Sequence, residues 1–416
     1  MAAEGDPGAA AEAAEAVARR SYGRLIAILS ARMRDVAGAE DALSEAFAAA
    51  LADWPRGVPD NPEAWLLAAA RRRSIDAARR RAVGEAARDH LRLLAEELDA
   101  MADEAPEIAD PRLGLMFACA HPAIEEGVRA PLILQAILGF DAQAIASAFL
   151  VSPAAMGQRL ARAKTKIRAA GIPFRIPERS EMGERLGAVL DAVYAAFTEG
   201  WSDPAGADAR RRDLAGEAIW LGRLIAGLLP GEPEALGLLA LMLYSEARRG
   251  ARRDACDEFV PLADQDTSLW DAALVDEAEA LLFRASGFCA LGRYQLEAAI
   301  QSAHVARRRR GATDWAAIEQ LYDGLVALTG SPVAAINRAV ARAETRGAAA
   351  GLAALPVAEP GSRLAEYQPY WAARAALLAR LGDAVGAREA YDQAIGLEAD
   401  PAVRRFLQRR RTAAGL

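Results

Sequence analysis

The sequence predicts an all-α protein made of two small helical domains and a larger helical-repeat domain. Apolar residues recur at helical spacing along most of the chain, and much of its 53% hydrophobic content is alanine and leucine, which are strong helix formers. Alternating runs of Val, Ile and Thr, which indicate strands, are scarce. A length of 416 residues accommodates two to four domains at roughly 100–200 residues each.

Three helices are predicted in the first domain, residues 1–95. Apolar residues at helical spacing mark Tyr22–Met33 and Gly38–Trp54, and a cluster of Pro and Gly follows the second of these helices. Asn61 before a proline predicts the start of the third helix, because an asparagine side chain accepts from free backbone N–H groups and proline fits the first turn. This helix is expected to run to about Arg81.

The second domain, residues 111–177, follows an acidic linker at 96–110 and is predicted to contain a helix-turn-helix. A short helix precedes Leu150, and Ser152 with the following proline begins another helix after a turn of the length that this motif needs. In that second helix, apolar residues at spacings of i, i+4, i+7 and i+11 predict a buried stripe. Its members are Met156, Leu160, Ala163 and Ile167.

Positive charge is concentrated in two short stretches of a chain whose formal net charge is −7. Residues 71–81 contain six arginines and one acid, and residues 142–177 contain six basic residues and no acid. The overall acidity argues against a general nucleic-acid coat protein, whereas two basic helical surfaces on separate domains indicate two DNA contacts. A solvated arginine-rich face is the simpler interpretation of either stretch alone.

The side of the second helix opposite its apolar stripe has the composition of a DNA recognition helix. Small residues and a glutamine in its N-terminal half can reach base edges, and the basic residues that follow can hold phosphates. A basic helical hairpin on a protein surface is the alternative. The candidate DNA-binding residues are Ala155, Gln158, Arg159, Arg162, Lys164 and Lys166.

Residues 178–416 are predicted to form a helical-repeat domain. Acidic residues outnumber basic ones in it, so direct DNA binding by this domain is not expected. Near its end, alanines and aromatic residues fall at the spacings of one tetratricopeptide unit, with Leu381–Asp383 at the turn between its helices. The residues with this spacing are Trp371, Ala375, Leu378, Ala387, Tyr391 and Ala394.

No cofactor, metal or membrane span is expected. The chain has three scattered cysteines, no phosphate-binding glycine motif and no apolar run of about 18 residues. Cys119 and His121 have the spacing of metal ligands, but zinc needs two more, so a buried thiol and a turn are favoured. Asp264, Asp266 and Asp271 are interpreted as helix caps and surface charge. An N-terminus without signal-peptide features and so few cysteines predict a cytoplasmic protein.

In combination, these segments resemble the extracytoplasmic-function class of the sigma-70 family of RNA polymerase sigma factors. Residues 38–47 resemble the region 2 helix that binds the polymerase clamp, and residues 61–80 resemble the segment that opens and reads the minus-10 element. Residues 144–164 resemble region 4, which reads the minus-35 element. Segments that resemble a subgroup with a tetratricopeptide-like extension are 117–122, 161–173, 197–201, 236–243 and 264–270.

The resemblance departs from the family pattern at a few positions. Relatives often have Arg and Glu where this chain has Gln135 and Gln143, and the pair Ala154-Ala155 replaces the more usual Gly-Thr. Promoter preference is therefore not carried over from the family.

The resemblance implies a DNA-binding specificity subunit and not an enzyme, with promoter DNA and core RNA polymerase as partners. Asp41 and Glu45 would dock on the β′ clamp helices, and region 4 would meet the β flap. Trp65, which is equally consistent with a core tryptophan, would receive an unstacked base. The implied minus-10 residues are Trp65, Arg71, Arg72, Arg73, Arg79 and Arg80.

We expect the C-terminal domain to regulate the protein in cis or to bind a protein partner. A helix-turn-helix repressor and a helical-repeat scaffold are the alternatives to a sigma factor. A repressor has no need of an acidic clamp-type helix, so that helix favours the sigma factor.

Overall fold

The computed structural model describes residues 7–81, 110–149, 151–201, 209–359, 361 and 364–414. In this part of the chain the secondary structure is helical and contains no β-strand, which confirms the predicted all-α class. None of the helices described there is long and apolar enough to cross a membrane. The chain divides into two compact units, residues 1–196 and 197–416.

The first unit is built from the helices of both predicted small domains. A 3-10 turn at Trp54–Arg56 separates the second helix from the third. The helices are α1 (Pro7–Met33), α2 (Val36–Asp53), α3 (Pro62–Arg81), α4 (Pro111–Cys119), α5 (Glu126–Leu138), α6 (Ala142–Phe149), α7 (Pro153–Ala169) and α8 (Arg179–Trp201), and the boundary between the units falls inside α8.

Side-chain caps fix the starts of three of these helices. The Asn61 side chain accepts from the backbone N–H of Ala64 at 3.0 Å, and Ser152 accepts from that of Ala155 at 3.3 Å, which confirms both predicted starts. Asp110, the last residue of the predicted acidic linker, caps α4. The rest of that linker lies outside the described residues.

The predicted start of the first helix at Tyr22 is wrong, because α1 begins at Pro7. Its first turns are rich in alanine, which has the highest helix propensity of the amino acids. Ala10, Ala14 and Val17 are buried, so these turns also pack against the rest of the unit. The acidic residues between them mask this apolar face in the sequence.

Helix α1 is the centre of the first unit, where it packs against α2, α3, α4 and α5. The closest approach lies at Gly23, because a Cβ atom at this position would collide with the backbone carbonyl of Ile137 on α5. Only glycine allows the two backbones to come this close. The predicted domains 1–95 and 111–177 therefore share one core.

The second unit is a series of helices in which neighbours along the chain mostly pack against each other. A segment between α10 and α11, residues 247–271, contains three 3-10 turns. The helices are α9 (Ala209–Leu228), α10 (Pro233–Glu246), α11 (Ala272–Ser286), α12 (Arg293–Val305), α13 (Arg307–Arg310), α14 (Trp315–Thr329), α15 (Pro332–Arg346), α16 (Ala348–Ala354), α17 (Gln368–Arg380), α18 (Ala384–Leu397) and α19 (Pro401–Ala413).

The predicted repeat unit corresponds to the hairpin of α17 and α18. Gly382 takes a left-handed conformation at the turn (φ +79°), and Asp383 caps α18 by accepting from the N–H of Gly386 at 2.9 Å. Leu407 of α19 completes the core of this hairpin. Its other buried residues are Ala375, Leu378, Ala387, Ala390, Tyr391 and Ala394, with Trp371 packed against them.

Candidate functional site

Helix α7 has the apolar stripe that the sequence predicts. Met156, Leu160, Ala163 and Ile167 are all buried, and the helix packs against α5 and α6 within its own predicted domain and against α2. Helices α6 and α7 are joined by a short turn, in which the N–H of Val151 donates to the carbonyl of Ala146 at 3.0 Å.

The opposite side of α7 carries an exposed line of polar and basic side chains. Gln158, Arg162 and Lys166 are four residues apart, so they follow one another along the helix, and all three are exposed. Ala155 and Arg159 are half-buried beside this line. Because residues 142–177 contain no acid, the exposed surface of α7 is uniformly neutral or positive.

Lys164 differs from the other candidate residues of α7 because its ammonium group is paired within the protein. Its Nζ lies 2.5 Å from Oε2 of Glu40 on α2, and only 12% of the Lys164 side chain and 21% of the Glu40 side chain are exposed. One turn further along, Arg168 pairs with Asp35 at 3.2 Å. The two ion pairs join the proposed recognition helix to the proposed polymerase-docking helix.

The surroundings of the Lys164–Glu40 pair are largely withdrawn from water. Oε1 of Glu40 and Oδ1 of Asp35 are buried without a hydrogen-bond partner among the described residues. Burial, with a smaller contribution from Glu40, raises the pKa of Tyr22 to about 12. Charge pairs in such surroundings are stable only while both partners are present.

Cys119 lies beside this pair and is fully buried, as the sequence predicts. Burial, which outweighs the nearby charges of Lys164 and Glu40, raises the pKa of the Cys119 thiol to about 12. The thiol is therefore protonated at neutral pH and is a poor metal ligand or nucleophile. His121 takes part in the predicted turn, where its Nδ1 accepts from the N–H of Ala123 at 3.1 Å.

The acidic face of α2 and the arginine face of α3 adjoin each other. Asp41 and Glu45 are exposed and one turn apart on α2. Oε2 of Glu45 lies 3.4 Å from Nη1 of Arg73 on α3, and about half of each side chain is exposed. One of the candidate polymerase contacts is thus in direct contact with one of the candidate DNA contacts.

The structure places three of the remaining minus-10 candidates, Trp65, Arg71 and Arg72, on or near this face. Arg71 and Arg72 are exposed on α3, whereas the side chains of Arg79 and Arg80 lie outside the described part of the structure. Trp65 is half-buried, and its ring packs edge-on against the buried Trp54, with ring centroids 5.7 Å apart. One side of Trp65 therefore belongs to the core and the other meets solvent.

The sequence interpretation missed Glu40, Asp35 and Arg168. Each partner pair is separated by more than a hundred residues, and no periodic pattern in a single sequence connects positions so far apart. The one available signal was local: Glu40 stands next to Asp41 on the acidic helix.

Comparison with known proteins identifies part of the first unit. The family model for sigma-70 region 2 matches residues 17–83, which cover most of α1 and all of α2 and α3. An uncharacterized protein of Rhizobium meliloti (strain 1021) is 42% identical over 366 residues, which are 86% of each chain. The chain belongs to the same family as that protein. Residues 185–286 match a family of unknown function, DUF6596, and no solved structure matches the chain.

Sigma-70 region 2 supports a sigma-factor role in transcription initiation for this family member. It also implies interaction with core RNA polymerase and with promoter DNA. The surfaces described above on α2 and α3 belong to the matched segment, whereas α7 lies outside it.

The ion pair between α2 and α7 leads to a stability prediction. Glu40→Gln leaves the Lys164 ammonium largely buried without its counter-charge, so the free energy of unfolding should fall by about 1–3 kcal/mol. Asp41→Asn removes the neighbouring but exposed carboxylate and should change it by less than about 0.5 kcal/mol. Urea denaturation of the full chain, followed by circular dichroism, measures both variants.

The double variant Glu40→Leu/Lys164→Met separates charge from packing. Replacing both partners by apolar residues of similar size leaves no unpaired charge, so this variant should be more stable than Glu40→Gln. Equal denaturation midpoints for Glu40→Gln and Asp41→Asn would show that the pair contributes nothing to the first unit.

Proposed function

We propose that this protein is an alternative sigma factor of the extracytoplasmic-function class, in which α1–α3 act as region 2 and α4–α7 act as region 4. The observation that carries the proposal is the region 2 match at residues 17–83, which includes both the exposed acidic face of α2 and the arginine face of α3. The protein directs core RNA polymerase to promoters, and the polymerase performs the chemistry.

Each surface has a role that follows from its charge and exposure. Asp41 and Glu45 bind basic side chains of the polymerase clamp, and Arg71–Arg73 hold phosphates of the minus-10 element. The exposed side of Trp65 receives a base that leaves the stack. The line from Gln158 to Lys166 enters the major groove at the minus-35 element, where Arg162 is placed to contact a base edge.

Binding both promoter elements at once requires α7 to leave α2. Elements centred at minus 35 and minus 10 are about 25 base pairs apart, or about 85 Å of duplex. The 29 residues between α3 and α4 span at most about 100 Å when extended, so the chain between the two halves is long enough. Polymerase binding supplies the free energy that separates them and thereby releases Lys164 to a phosphate.

A repressor is the main alternative, and the dependence of DNA binding on polymerase distinguishes it. Mapping transcription start sites after overproduction provides the promoter sequence. A gel-shift assay on that promoter then compares the protein with and without core enzyme. A sigma factor binds well only with core enzyme, whereas a repressor binds equally in both conditions.

The first functional prediction concerns Arg162. Replacing it by Ala should weaken minus-35 binding in the presence of core enzyme by about 1–3 kcal/mol, because a bidentate contact to a base edge is lost. Arg175→Ala is the matched control, since Arg175 is exposed, follows α7 and is paired with Glu181. Unchanged promoter output from Arg162→Ala would remove this residue from the DNA interface.

The second functional prediction concerns the acidic face of α2. Asp41→Lys with Glu45→Lys reverses two exposed charges on one helix face and should abolish co-purification with core polymerase while the fold is retained. Glu125→Lys with Glu126→Lys reverses two exposed charges at the start of α5 and should leave co-purification intact. If the α2 variant still co-purifies with core enzyme, the docking surface lies elsewhere.

We further propose that the C-terminal helices, with their tetratricopeptide-like hairpin, regulate the sigma factor in cis and are required for its activity. Two features support this. Residues 170–178 are a short connection between α7 and α8, and the boundary between the two units lies inside α8 instead of in a linker. Such a connection favours tight coupling. An inhibitory domain, or one that binds a separate protein partner, is the alternative.

Truncation after Trp201, at the end of α8, tests the required role. We expect the 1–201 fragment to show its full helical circular dichroism but to lose most in vitro transcription relative to the full chain. Higher activity of the fragment would indicate inhibition instead. Equal activity of the two proteins would exclude regulation in cis.

A further inference from the structure

Most arginines that the second unit withdraws from water are paired with carboxylates. Arg253 pairs with Asp400 at 2.7 Å, and Arg342 pairs with the buried Glu319 at 2.9 Å. This is the expected arrangement, because an arginine removed from water needs a counter-charge. Arginines without a carboxylate partner can be compared with these pairs.

Three arginines in or against the 247–271 segment lack such a carboxylate partner. Within the described residues, no carboxylate lies within 4 Å of Arg248, Arg252 or Arg307, although all three are buried or half-buried. Asp400 and Glu246 act on Arg252, and Asp264 acts on Arg307, only from a greater distance. The three guanidinium groups thus lie close enough for Arg252 and Arg307 to act on Arg248, and none of the three is paired with a carboxylate of the described residues.

Arg248 is the most deeply placed of the three. Only 7% of the residue is exposed, its Nε donates to the carbonyl of Tyr244, and its Nη2 donates to Oε1 of Gln301 at 2.7 Å. Burial, followed by the charges of Arg252 and Arg307, lowers the pKa of Arg248 to about 10. Arg248 therefore stays charged at neutral pH although burial disfavours its charged form.

Neutral oxygens and aromatic rings hold the other two guanidinium groups in place. Arg252 lies 3.7 Å from the centre of the Trp201 ring and donates to the Trp201 carbonyl at 2.8 Å. Arg307 donates to the carbonyls of Ala263 and Gln265 at 2.9 and 3.0 Å and lies 5.0 Å from the centre of the Trp270 ring. These contacts orient positive charge without neutralising it.

Unsatisfied donors occur at the same place. Nε of Arg307 and Nε1 of Trp270 are buried without an acceptor among the described residues, and Trp270 itself is only 3% exposed. Buried donors without partners are rare in native proteins. His304 adds a further polar group here, and burial, with Arg248 and Arg307, lowers its pKa to about 4. It is neutral at neutral pH and does not repel an anion.

We propose that Arg248, Arg252 and Arg307 form a binding site for the phosphate group of a small molecule, which supplies the missing negative charge. A phosphate matches three guanidinium groups better than a carboxylate does, because it carries up to two charges and presents more acceptor oxygens. The proposal is independent of the sigma-factor role, since it concerns residues of the second unit alone. A purely structural role, in which the arginines only hold the 247–271 segment, is the competing explanation.

Isothermal titration calorimetry on the full chain at neutral pH tests the site with inorganic phosphate and pyrophosphate, with acetate at the same ionic strength for comparison. We expect saturable binding of phosphate or pyrophosphate with a dissociation constant of about 1 mM or lower and at least tenfold weaker binding of acetate. Absence of saturable binding of both phosphates at ten times that concentration overturns the proposal. Equal affinity for acetate overturns the assignment to phosphate.

Matched variants locate the site. Arg307→Gln should weaken phosphate binding at least tenfold, whereas Arg308→Gln, which removes the exposed neighbouring arginine, should leave it unchanged. If Arg307→Gln does not fold by circular dichroism, Arg252→Gln takes its place, because Arg252 makes a single hydrogen bond to the described backbone. Equal phosphate affinity in the Arg307 and Arg308 variants would place any bound phosphate elsewhere and overturn the assignment to these arginines.

Discussion

Packing around α1 joins the two halves of the first unit, and the Lys164–Glu40 ion pair is the largely buried charge contact between them. Lys164 lies on the helix that the family resemblance assigns to region 4, and Glu40 lies on the region 2 helix that carries the proposed polymerase-docking face. Both side chains are largely removed from water, so each needs the other. The pair is reinforced by Arg168–Asp35 and by the close packing of α1 on α5 at Gly23. Two halves that are predicted to act at separate DNA elements are thus joined when the chain is without DNA and polymerase.

This arrangement leaves the proposed functional surfaces exposed while α7 packs against α2. Asp41, Glu45 and the line of Gln158, Arg162 and Lys166 all remain exposed. The ion pair engages Lys164, which would otherwise be available to a DNA phosphate, and it fixes α7 against α2. The net charge of −7 acts in the same direction, because it disfavours non-specific attraction to the DNA backbone. Both features suit a protein that binds DNA only as part of a larger complex.

Local physical chemistry explains which parts of this structure were predictable from sequence. The caps at Asn61 and Ser152, the buried stripe of α7 and the hairpin of α17 and α18 each depend on residues within one or two helices, and all were predicted. The early start of α1 was missed because acidic residues interrupt its apolar face. The partner of Lys164 was missed because tertiary packing decides whether its ammonium group meets solvent, DNA or a distant carboxylate. The local sequence of a basic stretch does not contain this information. The sequence also could not decide between a core role and a base-stacking role for Trp65. Its half-buried position agrees in part with both roles.

The largely buried lysine of the first unit is paired within the chain, as are most buried arginines of the second unit, but the cluster of Arg248, Arg252 and Arg307 has no paired carboxylate among the described residues. In the first unit, Lys164 is neutralised by Glu40 within the same chain, and the proposed separation of the halves would free its charge. In the second unit, Arg248, Arg252 and Arg307 are oriented by carbonyl oxygens and indole rings instead of by paired carboxylates of the described residues. Two of them, with Trp201 and Trp270, lie in the segment that matches a family of unknown function, whereas Arg307 is contributed from beyond it. Fixed positive charge without a paired carboxylate lowers the stability of the fold. A phosphate bound from outside the chain would supply the missing negative charge and offset this loss. The proposed phosphate site therefore belongs to the second unit, and α8, which contains the boundary between the units, connects that unit covalently to the proposed DNA-binding half.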